Sequence, residues 1–322
     1  MLSLHRPKKN QLDSPNLTKF HNWASGSKPI ILLAVVPSTI FFLIWMVFPL
    51  LYAGFMSLFE WRKSSISPVG QQFVGLENYL SAFQDPLFWL SLRNTLVLAV
   101  FEIVPVMIIS LVLALLLNRI PARFQAFFRG IYFIPYITSL AALAIMWGWL
   151  YQPQFGLFNA ILELFGGAPL RWLQDPKLAL ACIAAVVVFQ EFGYGMILLL
   201  AGLQGIPAEY YEAAQVDGAN SWVLFKNITL PLLRPSLLLV LVTNTIYSLQ
   251  IFDPLFIMSV TSFNTPPGGP MNSTTTSILY IFIAAFKNYR GGYASAIAVM
   301  LFVIIMIVSL IQLRTVRTEW EY

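Results

Sequence analysis

The residues with most chemical capacity in this chain are carboxylates set in apolar surroundings: Glu102, Glu191 and Asp253. Ionisable groups at membrane depth are costly, and function is the first reading for them. Glu191 belongs to Phe189-Gln-Glu-Phe-Gly-Tyr-Gly195. At about 100° per residue, Gln190, Glu191 and Tyr194 share an arc of about 100° of one helix. Further along, Asn244, Tyr247 and Ile251 form one helical stripe, and Thr243, Tyr247 and Gln250 form another beside it. Carboxylates, amides and phenols hydrogen-bond hydroxyl groups, and tyrosine faces stack. Polar side chains also hold membrane helices together. Cavity lining and helix packing are therefore both open for each of these residues. Asp253 lies near the outer end of its stretch, where a gate or packing role fits better.

Catalytic chemistry finds little support. A single cysteine, Cys182, excludes an intramolecular disulfide and any multi-cysteine metal site. Both histidines precede residue 22, which leaves no histidine for a catalytic or metal cluster in the body of the chain. No Walker pattern, no Asp-rich prenyl-transfer motif and no G-x-S-x-G occurs. The chain is expected to bind no cofactor and to be no enzyme.

The elements that must position the polar residues follow from composition. The chain is 58% hydrophobic and 10% charged, whereas a soluble domain is about 25% charged. Its mean hydropathy is +0.74. A membrane helix needs about 20 mostly apolar residues. Six stretches qualify, near 30–59, 94–117, 130–151, 178–203, 232–260 and 293–313. Within lipid the backbone must satisfy its own hydrogen bonds, so an all-α protein of six transmembrane helices is expected. The first stretch is too long for the apolar part of a signal peptide. Residues 278–286 are apolar but too short to span, and read as an interfacial or packed short helix. The pairs Ala144/Gly148 and Ala294/Ala298 have the spacing of close helix contacts.

Topology follows Lys and Arg in short loops. With the N-terminus inside, twelve of the nineteen basic residues fall on the cytoplasmic side. The expected divisions are a cytoplasmic segment 1–29, a six-span domain 30–315 and a cytoplasmic tail 316–322. The net charge of +5 then orients a membrane protein. Nucleic-acid binding would need a clustered basic face, which is missing from the pattern.

The long loop near 204–231 faces the same side as the termini. Pro207 suits a helix start, and Ala208 to Val216 are mostly good helix formers. Asp217-Gly218 ends that helix, with glycine able to take the left-handed position. Asn220 or Ser221 can cap a second short helix through Phe225. The loop reads Glu212-Ala213-Ala214, three residues, Gly218, nine residues, then Ile228-Thr-Leu230-Pro231.

This extended pattern resembles the EAA motif of permease subunits of bacterial ABC importers, at every defining position and both spacings. Phe73-Val-Gly-Leu-Glu-Asn-Tyr79, Asn94-Thr95, Ala201-Gly-Leu-Gln-Gly-Ile-Pro207, Phe252-Asp253, Gly268-Gly-Pro270 with Thr274, and Gly292-Tyr-Ala-Ser-Ala296 resemble the carbohydrate-uptake permeases of maltose and glycerol-3-phosphate type. Ser262-Phe-Asn-Thr-Pro-Pro267 departs from that pattern, which reaches Gly-Gly-Pro sooner.

The resemblance implies a type I importer permease of the bacterial inner membrane, working by alternating access. It implies that Glu212, Ala213, Ala214, Asp217, Gly218, Ile228, Leu230 and Pro231 form the coupling element that docks on an ATPase. It also implies that Gln190, Glu191, Tyr194, Asn244, Tyr247, Gln250 and Asp253 are candidates for the substrate path. The partners implied are a second homologous permease, two ATPase subunits holding ATP and Mg, an extracytoplasmic substrate-binding protein, and a sugar or polyol. A self-contained secondary transporter or channel, acting as a homo-oligomer, is the alternative from another class.

Overall fold

The computed structural model describes residues 28–61, 72–260 and 267–315. The expected segment 1–29 (all but its last two residues), the tail 316–322, the basic residues Arg62 and Lys63, and most of the 262–267 departure lie outside the described residues. The chain divides into two compact units, residues 1–53 and 54–322. In the first, α1 (Lys28–Phe42) passes through a wider π turn at Leu43–Val47 into α2 (Phe48–Met56), which crosses into the second unit.

The second unit opens with a two-stranded antiparallel ribbon. β1 (Phe59–Glu60) faces β2 (Gln72–Phe73). Then come α3 (Glu77–Gln84), α4 (Pro86–Asn118), α5 (Ala122–Ile137), α6 (Leu140–Leu150), α7 (Leu157–Leu164) and α8 (Ala179–Gln204). The remainder is α9 (Ala208–Val216), α10 (Ser221–Leu224), α11 (Leu230–Leu232), α12 (Arg234–Ser248), α13 (Asp253–Ser259), α14 (Ser277–Phe282) and α15 (Gly291–Thr315).

Four helices are each long and apolar enough to cross a membrane: Val35–Met56, Pro86–Asn118, Ala179–Gln204 and Gly291–Thr315. Two further pairs reach that length only together. Ala122–Ile137 and Leu140–Leu150 meet at 90°, and Ser221–Leu232 and Arg234–Ser248 meet at 62°. By length and composition the spans thus number four, or up to the expected six when each bent pair is counted once.

Several boundaries move for local reasons. The second span starts at Pro86 rather than near residue 94. Asp85 caps it, accepting from the Leu87 amide at 2.8 Å, and Pro86 occupies the first turn, where no donor is missed. The third span is broken at Thr138 and Ser139, which are extended. The fifth is shorter than its apolar sequence: α12 stops at Ser248, and Asp253-Pro254 begins α13. The short helix expected at 278–286 is present as α14, prolonged by a π turn to Lys287.

The bundle is built around α8, which packs lengthwise on α4 and crosses α5. Small residues set these distances. A Cβ on Gly193 would lie 2.0 Å from the Tyr132 carbonyl oxygen. Ser110 Oγ donates to the Phe192 carbonyl at 2.8 Å, beside Gly195. Ala144 and Ala294 are buried, whereas no atom of the described residues lies within 4 Å of where a Cβ on Gly148 would sit. At the other end of α4, Asn94 Nδ2 donates to the carbonyls of Asn272 and Thr275, each at 3.0 Å. Thr95 and Ser277 also bond there. These contacts bind the Gly268-Gly-Pro270 loop to the bundle, and that loop turns through positive φ at Gly268, Gly269, Met271 and Asn272.

Candidate functional site

The loop after α8 is two helical arms joined at a glycine. α9 covers Ala208–Val216, as its helix formers predict. Gly218 follows at φ +82°, the left-handed position that ends the arm. The second arm is capped by Asn220, whose Oδ1 accepts from the amides of Trp222 and Val223 at 3.1 and 3.0 Å. This arm does not stop at Phe225. It continues through a π turn (Phe225–Thr229) and α11 to Leu232, and bends at Leu233 into α12. Buried Thr229, within the Ile228-Thr-Leu230-Pro231 stretch, bonds the Tyr211 hydroxyl of the first arm at 3.2 Å. The two arms are thereby one body.

Glu212, Ala213, Asp217 and Gly218 are exposed along this hairpin, while Ala214, Ile228, Leu230 and Pro231 are half-buried. Tyr210, Val216 and Trp222 are also exposed, with Val216 at 89%. Exposed large apolar side chains beside a carboxylate make a surface suited to another protein. Behind it, a cavity of about 590 Å³ is lined by Asn118, Arg119, Tyr211, Trp222 and Phe225 among others. Gln125 braces the neighbouring helix ends. It donates to the Leu117 carbonyl at 2.9 Å, and its Oε1 accepts from Arg129 and Gln204 at 2.9 and 3.1 Å. The sequence carries no pattern by which Gln125 stands out.

The intramembrane polar residues do not all meet. Gln190 and Tyr247 do: the Tyr247 hydroxyl donates to Gln190 Oε1 at 3.2 Å. Gln190 Nε2 in turn donates to the Thr138 carbonyl at 3.2 Å, in the break between α5 and α6. A carbonyl left by a broken helix is thus satisfied by a side chain from α8. Tyr194 lies one turn along, stacked on Tyr136 with centroids 4.8 Å apart and rings 10° from parallel. Glu191 is buried in the same stretch of α8.

The others stand apart. Asn244 is buried but turns back on its own helix, donating to the Val240 carbonyl at 2.9 Å. Gln250 is exposed in the turn after α12, so it does not continue the Thr243–Tyr247 stripe. Ile251 leaves the Asn244 stripe for the same reason. Asp253, expected inside the fifth span, is instead exposed in the first turn of α13. A carboxylate there faces a helix N-terminus, a favourable place for negative charge. Glu102 is fully buried, and among the described residues neither its carboxyl oxygens nor the Ser248 hydroxyl facing them has a partner at hydrogen-bonding geometry.

One cluster carries no sequence pattern of its own. At the head of α4, the Asp85 carboxylate accepts from the Tyr280 hydroxyl and, at 2.7 Å, from that of Tyr293. Arg290 lies 4.1 Å over the Tyr293 ring. Burial alone would push the Asp85 carboxyl up. The two tyrosine hydroxyls, the Leu87 amide and the Arg290 charge outweigh it and hold the group below its ordinary value. The cluster joins α4, α14 and α15 at one end of the bundle.

Comparison with known proteins bears on this arrangement. Residues 107–318 match the family described as binding-protein-dependent transport system inner membrane component. The chain is 33% identical over 313 residues to the sulfoquinovosyl glycerol transport system permease protein SmoG of Agrobacterium fabrum, covering 96% of this chain and 97% of that one. It is 34% identical over 289 residues to the lactose transport system permease protein LacF of Rhizobium radiobacter, covering 88% and 93%. It also superposes on a chain of a bacterial ABC transporter involved in the import of the acidic polysaccharide alginate. That match has a TM-score of 0.77 at 22% identity, over 94% of this chain and 100% of that one. This last likeness shows the fold. The spans, the two-armed loop and the matched family agree, and the chain belongs to the binding-protein-dependent transport system inner membrane components, a family of membrane transport subunits and not of enzymes.

Proposed function

We propose that this chain is the permease subunit of an ATP-driven importer for a sugar or sugar-like solute, with both termini in the cytoplasm. Its partners are a second homologous permease, two ATPase subunits that bind ATP and Mg, and an extracytoplasmic binding protein. The named relatives support the solute class, since their names specify lactose and sulfoquinovosyl glycerol.

The observation that carries the coupling role is the mechanical continuity of the hairpin. Glu212 and Ala213 offer a charge and a low surface for close approach on the exposed arm. Tyr211 and Thr229 fasten that arm to the second. The second arm runs directly into α12, whose Tyr247, about 20 Å along from Arg234 at 1.5 Å per residue, bonds Gln190. An ATPase that moves the hairpin therefore moves a residue of the polar cluster. Asp217 and Gly218 hold the turn, and Ile228, Leu230 and Pro231 form the root of the second arm. Gln190, Glu191, Tyr194 and Tyr247 are the stronger substrate-path candidates. Asn244, Gln250 and Asp253 are weaker ones, because they point elsewhere.

Glu212→Lys tests the assignment. The variant is expected to reach the membrane at normal level, because residue 212 is exposed, and to lose ATP-driven uptake and ATPase co-purification. Normal uptake by this variant would refute the coupling role. Uptake that persists without any ATPase and follows an ion gradient would favour the self-contained transporter.

A further inference from the structure

We infer that α7, between the third and fourth spans, is a membrane-surface anchor. Its outer face rests in the boundary between phospholipid headgroups and acyl chains. The first reason is an apolar stripe with no partner. Leu157, Ile161, Leu164 and Phe165 follow the i, i+4, i+7, i+8 spacing of one helix face. All four are exposed, Leu164 and Phe165 at 84% and 86%, with Phe155 just before them. The helix end presents the last two outward. Gly166 turns at φ +77°, and the amides of Gly166 and Gly167 bond the carbonyls of Glu163 and Leu162, each at 2.9 Å.

The opposite face is fixed, so the stripe is held out rather than left loose. Buried Asn159 donates to the carbonyls of Pro153 and Leu170, at 3.1 and 2.9 Å. Its Oδ1 accepts from the Leu170 amide and Trp172 Nε1 at 3.0 and 2.8 Å. Phe158 lies 4.7 Å from the Tyr151 ring.

The choice of lipid as occupant rests on level. The Tyr151 hydroxyl donates to the carbonyl of Cys182, in the first turn of α8, at 3.3 Å. The helix is therefore pinned where the fourth span begins and the third ends, at one face of the membrane. Trp149, 66% exposed one residue before the end of α6, lies at the same boundary. Tryptophan is enriched at membrane interfaces, and apolar faces of short helices bury into that layer. The stripe thus continues an exposed aromatic surface that a membrane protein gives to lipid.

The test uses the whole chain with its partners in phospholipid nanodiscs. The native Cys182 is buried, so nitroxide labels go to Leu164→Cys and Ile161→Cys, with Glu163→Cys, exposed and one turn from Asn159 on the other side of the helix, as the comparison. Collision rates with oxygen, which concentrates in lipid, and with a water-soluble nickel chelate are measured by electron paramagnetic resonance. The oxygen-to-nickel ratio is expected to be severalfold higher at 161 and 164 than at 163. Equal ratios at the three sites would overturn the inference. Shielding of 161 and 164 from both reagents would also overturn it, by placing protein over the stripe. Neither outcome depends on whether Glu212 couples to an ATPase.

Discussion

Replacing Gly193 by alanine probes the contact on which the polar cluster depends. An added Cβ would lie 2.0 Å from the Tyr132 carbonyl oxygen, 2.9 Å from its carbon and 3.3 Å from Phe133 Cα. Ordinary contact begins near 3.4 Å, so α5 and α8 would have to part by about 1.4 Å. All three neighbours are backbone atoms, which no rotamer change can move. The expected cost is therefore in the upper part of the roughly 1–3 kcal/mol seen for overpacking. The same parting would stretch the Gln190–Thr138 bond, now 3.2 Å, past hydrogen-bonding reach. Gly130→Ala, in α5, is the control, because nothing lies within 4 Å of its new Cβ. That change should be neutral or gain up to about 1 kcal/mol from helix propensity. The assay is the midpoint of heat-induced loss of the monodisperse peak in detergent, together with solute uptake by the assembled transporter. Gly193→Ala should lower both, and Gly130→Ala neither. A Gly193→Ala protein as stable as the wild type would refute the close-approach argument.

Two further perturbations test other parts of the bundle. Glu102→Met removes a buried carboxyl whose oxygens have no partner at hydrogen-bonding geometry among the described residues. Apolar replacement of such a group is neutral or stabilising, by about 1–3 kcal/mol if the desolvation penalty is relieved. A marked fall in the detergent melting midpoint would contradict this. The Asp85 carboxyl is held below its ordinary value in the folded protein, so the unfolded chain binds its proton first as pH falls. The stability it adds is present above the ordinary carboxylate range near 4 and is lost as pH drops further. Asp85→Asn should flatten the acid limb of a stability–pH profile, and an unchanged limb would remove the cluster as its cause.

Much of the architecture was legible because lipid imposes a simple demand. A backbone without water must bond to itself over about 20 residues, and that appears as apolar run length. The α9 arm was equally legible: helix formers lie between Pro207 and Gly218, and its observed limits are those expected. The breaks were not. At Thr138-Ser139, just after Pro135, two polar residues interrupt an otherwise apolar run and the helix stops, and Gln190, 52 residues later, satisfies the carbonyl exposed there. The end of α12 at Ser248 likewise lies inside the stretch expected as the fifth span, so Gln250 and Ile251 left the stripes that helical spacing gave them and Asp253 left the span.

Sequence alone thus determined the class of molecule, the apolar stretches from which its spans are built and the two-armed loop. Each depends on neighbours within a turn or two, where composition and spacing act directly. Tertiary structure decided which polar residues meet. Gln190 reaches Tyr247 and Thr138, Asn244 turns back on its own helix, and Asp85 gathers two tyrosines from about 200 residues away. Such meetings depend on how closely two helices approach. That distance is set by a glycine such as Gly193 and by the backbone it faces, which no local pattern in the chain records.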